Sequence, residues 1–328
     1  MAQYRHNLPQ LSSDLFLTDG GLETTLIFHE GLDLPDFAAF DLLKQIAGYR
    51  SLQTYFRSYA KLAQTYQVGL VLESPTWRAN PDWATKLGYS EAALAEMNRQ
   101  AIALLHDIRQ ESETEQSRMV ISGCIGPRGD GYVSADAMTA EEAQRYHRSQ
   151  IETFYTTEAD LVSALTMNYA EEAIGIVRAA QALDIPAVIS FTVETDGHLP
   201  TGQSLKDAIA QVDAATDEGP AYYAINCAHP THFAEVLAAG DPWLERIRCV
   251  RANASTKSHA ELDEAEELDD GNPVELGNRY RLLKDRLKNL TVIGGCCGTD
   301  ERHVDAMCKA VMPVFWSHLS QVRASLAV

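Results

Sequence analysis

The chain is predicted to fold as a single-domain α/β protein, a closed (β/α)8 barrel of the TIM type spanning residues 1–328. Three observations predict it. Short apolar runs recur along the whole chain, longer stretches with helical periodicity separate them, and polar, glycine-rich or cysteine-bearing residues follow the runs. Strands alternating with helices give a parallel sheet, and eight such units close it; a doubly wound open sheet is the structural alternative.

The predicted strands cover residues 15–18, 70–72, 120–122, 161–165, 187–191, 222–226, 247–251 and 291–294. DGGLETT (19–25) follows the first and ESPTWRAN (73–80) the second. The third runs into GCIGPRGDG, the sixth into NCAHP, the seventh into ANAS and the eighth into GGCCG. In such barrels these loops share one face and build the active site. Between strands, Thr139 with Glu142 reads as a capping box opening a helix towards Glu158. Leu205, Ala208, Ile209 and Val212 recur at helical spacing, as do Leu276, Tyr280, Leu283, Leu287 and Leu290. The acidic stretch 260–272 reads as a solvated loop or insertion. The apolar tail 311–328 is expected to pack on its own barrel, and no oligomeric state is assigned.

Hydrophobic residues make up 45% of the chain, enough for a sizeable core, and no repeat or Pro/Gly-rich linker divides it. A net charge of −19 would repel a phosphate backbone, so nucleic acid is not expected as a partner. The start lacks the apolar run of a secretory signal, and no stretch has the length of a membrane span, which points to the cytosol. In that compartment the six cysteines read as metal ligands, nucleophiles or core residues rather than a disulfide framework.

Cys296 and Cys297 are adjacent and end the eighth strand, while Cys227 follows the sixth. One strand separates those two in a barrel, so three thiols can meet at one point, with Gly294, Gly295 and Gly298 freeing the backbone to turn both neighbours the same way. Three thiolates with one exchangeable position suit a catalytic Zn2+ site, and sulfur favours zinc over magnesium or calcium. On spacing alone, a mixture of core and redox-sensitive cysteines fits equally well. His229, two positions past Cys227, reads as a loop histidine or an outer partner more readily than as a ligand. Cys124, Cys249 and Cys308 lie in apolar runs and read as inert core thiols. An open zinc trithiolate has an obvious use, which is to hold an incoming thiol as a thiolate at neutral pH.

GGCCGT after the eighth strand, NC after the sixth and DGG after the first resemble the homocysteine S-methyltransferases. The similarity runs through SGCIGPRGDGY, EEAQRYHRSQIE with EADLV, and SFTVETDGHLPTGQSL, and covers nearly the whole chain. It implies Zn2+ held by Cys227, Cys296 and Cys297, with the thiol of L-homocysteine taking a methyl group to give methionine. It also implies that Asp19, Gly20 and Gly21 line the homocysteine pocket and that Asn226 and Asn253 stand near the metal or shape its loops. The implied partners are a small-molecule thiol and a methyl donor. A sulfonium is the preferred donor, since the chain is too short for added folate and cobalamin modules.

Two positions depart from the family. Leu165 stands where family members carry the glutamate that holds the amino group of homocysteine, and RANAS replaces a Pro-Asn pair in the seventh strand. Glu73 is the candidate replacement; otherwise it reads as a loop carboxylate paired with Arg78 or solvent. Trp77 and Tyr132 offer aromatic surface in loops on the same face. The alternatives are methyl transfer to another thiol or selenol, a non-catalytic zinc-binding barrel, and a hydrolase using Asp19 and Glu73.

Overall fold

The computed structural model describes residues 2–133, 137–237, 240–265 and 267–326, with side chains as far as residue 315 in the last helix. Eight parallel strands close into a barrel in chain order, β1 pairing with both β2 and β8. They are β1 (Phe16–Leu17), β2 (Gly69–Glu73), β3 (Met119–Ile125), β4 (Leu161–Met167), β5 (Ala187–Phe191), β6 (Tyr222–Asn226), β7 (Ile247–Ala252) and β8 (Val292–Gly295). All eight expected strands are present, those at 187–191 and 222–226 with the expected ends. β1 is shorter than expected as a regular ladder, yet its flanks stay paired. The carbonyl of Leu15 accepts from the Gly69 N–H, and the Thr18 N–H donates to Ile293.

The long helices on the outside are α1 (Ile46–Tyr66), α2 (Glu91–Ser112), α3 (Ala140–Tyr155), α4 (Ala170–Gln181), α5 (Leu205–Thr216), α6 (Pro273–Arg286) and α7 (Glu301–Leu326). The Thr139–Glu142 capping box forms with both of its bonds at the start of α3. Among the described residues, the connection after β6 holds the short helix Pro230–Phe233 and a 3-10 turn, Pro242–Arg246. Leu287 and Leu290 lie past the end of α6, yet both are buried.

Branched and aromatic residues fill two cores. One lies between strands and helices; the other fills the lower barrel, where Phe16, Val71, Val120, Leu161 and Val292 pack together. The N-terminal segment stoppers this lower end, with Leu8 and Tyr4 packed against the inner cluster. Asp160, fully buried, pins that segment: it accepts from the Tyr4 N–H at 2.7 Å, the Ile121 N–H at 2.9 Å and Arg109 Nη1 at 2.8 Å. Val311 and Phe315 of the apolar tail are buried against the barrel, and the tail's later side chains lie outside the described residues. Among the described residues no helix is long and apolar enough to cross a membrane.

The acidic stretch 260–272 is not simply a solvated loop. It begins inside a short capped helix, His259–Asp263, and continues across the mouth of the barrel, where Leu262, Leu268 and Asp269 line the cavity described below. Leu262 and Leu268 turn towards the cavity, Asp269 is held there by Ser255 at 2.7 Å, and Glu261, Asp263, Glu264 and Glu267 stay exposed.

Candidate metal centre and substrate pocket

The three cysteines and all six residues expected to contact substrate line one cavity at the C-terminal end of the barrel. Cys227 leaves β6 with a left-handed backbone (φ 55°), which turns its sulfur towards the end of β8. Gly298 (φ +77°) reverses the chain just after Cys297. Gly21 lies so close to the cysteine loop that a Cβ there would stand 2.6 Å from the carbonyl oxygen of Cys296. The DGG turn is therefore packed directly on the paired cysteines.

The sulfurs of Cys227, Cys296 and Cys297 all lie within 4.8 Å of one another. The sulfurs of Cys227 and Cys296 lie in bonding contact, and both must be present as thiolates before either can bind a metal. Cys297 is a free thiol, 3.9 Å from Cys227 Sγ. Although Cys297 is exposed at the cavity surface, the protein around it pushes its thiol up, with the nearby Glu23 adding to the shift. Zinc–sulfur bonds of about 2.3 Å set the edges of a tetrahedron near 3.8 Å, so the Cys227–Cys297 separation and the all-sulfur donor set fit zinc. Cys124, Cys249 and Cys308 are buried away from the trio, although Cys124 reaches the cavity floor. Among the described residues His229 does not join the sulfur cluster; its Nδ1 accepts from the Thr231 N–H and caps the short helix after β6.

Asn226 ties the site together. Its Oδ1 accepts from the Thr166 N–H at 2.9 Å, and its Nδ2 donates to Thr166 Oγ1 at 2.9 Å and faces Cys296 Sγ at 3.8 Å. Thr166 sits in an irregularity of β4 with φ 63°, unusual for a β-branched residue. Asn253 Nδ2 donates to the carbonyl of Cys227 at 3.0 Å, which fixes the turn carrying that cysteine.

Asp19 and Glu73 both line the cavity, in different surroundings. Asp19 lines the cavity, but its oxygens are taken: Arg251 Nη2 donates to Oδ1 at 2.6 Å and Tyr55 Oη to Oδ2 at 3.0 Å. Glu73 does not pair with Arg78 or lie in solvent. It is buried at the cavity floor with Oε2 unpartnered, beside Ser122 and Ser163 and within the field of Arg251. Burial pushes Glu73 upward, and Arg251 only partly offsets it.

The residue that sequence reading missed is Arg251, which answers the RANAS departure. It reaches from β7 under the cysteine loop, donating from Nε to Gly295 at 3.2 Å. Glu23 was missed as well. It lies on the cavity wall, and burial pushes it up to about 6, with Asp19 nearby. Trp77 and Tyr132 do line the cavity, but Arg78 covers one face of Trp77 and Tyr132 stacks on His259 at 4.1 Å.

The sequence profile described as homocysteine S-methyltransferase matches residues 16–311. Among solved structures, the oxidised form of the homocysteine methyltransferase MmuM from Escherichia coli is similar at a TM-score of 0.71 and 17% identity, over 93% of this chain and 98% of that one. The metallated form of that protein gives 0.71 at 18% identity over 94% and 99%. Its apo form gives 0.64 at 18% identity over 94% and 100%. Among curated protein sequences none matches this chain.

Proposed function

The chain belongs to the homocysteine S-methyltransferase family, and from that premise we propose that it is a zinc-dependent enzyme moving a methyl group from a sulfonium-type donor to the thiol of L-homocysteine, giving methionine. The observation that carries this reading is the convergence of three sulfurs within 4.8 Å at the mouth of the barrel. Zinc held by Cys227, Cys296 and Cys297 would supply the positive charge that keeps a substrate thiol deprotonated at neutral pH.

The chain's own residues supply position. Asn226 and Asn253 fix the cysteine loops, so the acceptor sulfur has one defined station. Glu73, with its free Oε2 on the cavity floor, is assigned the amino group that Leu165 cannot hold. As the methyl carbon moves, its bond to the donor sulfur breaks while the bond to the acceptor sulfur forms, and the donor departs as a neutral thioether. The cavity's part is to align both sulfurs with that carbon.

A second reading, transfer to a different thiol or selenol, draws on Leu165 and on the occupied oxygens of Asp19, since both change how an amino group would be met. A carboxylate-pair hydrolase loses support, because the ion pair with Arg251 occupies Asp19.

The test is calorimetric titration of L-homocysteine into reduced protein, with and without zinc, alongside Cys297→Ser. Zinc-dependent binding is expected, with loss of both zinc and methyl transfer in the variant. Homocysteine binding that ignores zinc, or a variant that keeps its metal, would overturn the assignment.

A further inference from the structure

Arg78 stands in the pocket wall as a buried charge that no carboxylate among the described residues pairs with. It is only 8% exposed, and its guanidinium is sandwiched between the rings of Trp77 at 4.2 Å and Trp83 at 3.9 Å. Nη1 donates to the carbonyl of Gly129 at 3.1 Å, while Nε is buried with no partner. Among the described residues no carboxylate forms an ion pair with it; Asp130, Glu23 and Asp36 act on it only at longer range. The Asp130 carboxylate is already engaged by the N–H groups of Tyr132 and Val133.

The other deeply buried arginines differ. Arg109 pairs with Asp160 at 2.8 Å and Arg251 with Asp19 at 2.6 Å. Burying a guanidinium unpaired is costly, and the cost recurs in every folded molecule unless a ligand offsets it. The two indoles fix the plane of the fork, which suits two-pronged recognition of a planar oxyanion.

We propose that Arg78 is the receptor for a substrate carboxylate, clamping the α-carboxylate of an amino acid so that its sulfur reaches the cysteines. The choice of an amino acid rests on the function proposed above; the anion subsite itself rests on Arg78 and its two tryptophans. The carboxylate can belong to the thiol acceptor or to an amino-acid sulfonium donor, and the experiment separates the two.

Reduced, zinc-loaded protein is titrated with two pairs of probes. The acceptor pair is L-homocysteine and aminopropanethiol, which lacks the carboxylate. The donor pair is S-methyl-L-methionine and the corresponding sulfonium amine without a carboxylate. The wild type should prefer the carboxylate-bearing member of one pair by about tenfold to a hundredfold, the range expected for a charge-assisted bond. Arg78→Gln should erase that preference, leave the carboxylate-free probe unchanged and retain zinc. Arg78→Lys should recover it in part, and it carries the same test if the glutamine variant fails to melt cooperatively.

A wild type with no preference in either pair, or variants that keep the full preference, would overturn the proposal. Thiol binding that ignores zinc while the carboxylate preference persists would remove the proposed function and leave Arg78 assigned. Zinc-dependent thiol binding without that preference would do the reverse.

Discussion

Glu73 carries the largest burden of any single side chain in the pocket. It is buried, it shares the field of Arg251 with Asp19, and one of its oxygens has no partner. If that oxygen receives the substrate's amino group, Glu73→Gln should weaken L-homocysteine binding about tenfold to a hundredfold, as loss of a desolvated charge partner does. Zinc content should stay the same. Calorimetry beside a zinc assay checks this, and an unchanged affinity would return Glu73 to a purely structural role. Residue by residue, the meeting of Cys227, Cys296 and Cys297 was the most legible feature, because barrel order puts the ends of β6 and β8 one strand apart. The sequence hid the partnerships of charge. Arg251 and Asp19 are 232 positions apart, and only barrel closure brings them together, so their ion pair had no local signal. Arg78 was visible only as a possible partner for Glu73, since nothing local announces a guanidinium held between two indoles.

Among the elements, the junction between the cysteine loop and α7 is held by a carboxylate. Asp300 is contacted by His303 at 3.0 Å and Arg302 at 2.6 Å, and Arg302 also reaches Asp270 at 2.8 Å. Although burial pushes Asp300 up, His303 and Arg302 hold it well below the usual carboxylate range. A depressed native value means its stabilisation is complete above the unfolded value, about 3.9, and fades as pH falls towards the native one. The melting-temperature gap between wild type and Asp300→Asn should therefore be widest near neutrality and shrink below about pH 4. A gap independent of pH would dismiss the ion-pair account. Strand periodicity and the Thr139 capping box were legible because they are local. The irregularity at Thr166 was not, because its φ of 63° is held by Asn226 on β6. The acidic segment over the mouth was legible as solvated, since most of its acids are exposed, but its apolar side finds a surface only once the barrel exists.

For the molecule as a whole, the tie at Asp160 joins α2, β3 and the N-terminal segment at the lower end. Asp160→Asn would leave Arg109 a buried, unpaired cation, so unfolding free energy should drop by about 3–5 kcal/mol. Urea denaturation measures this, and a loss below about 1 kcal/mol would show that the pair is not needed. The barrel class followed from the alternation of runs and the position of the loops, whereas the stopper of Leu8 and Tyr4 beneath it had no signal in the sequence. That stopper makes the chamber a cul-de-sac. Among the described residues the chamber is reached from the C-terminal face, where Cys297 is exposed, so molecules come and go on the side that carries the cysteines.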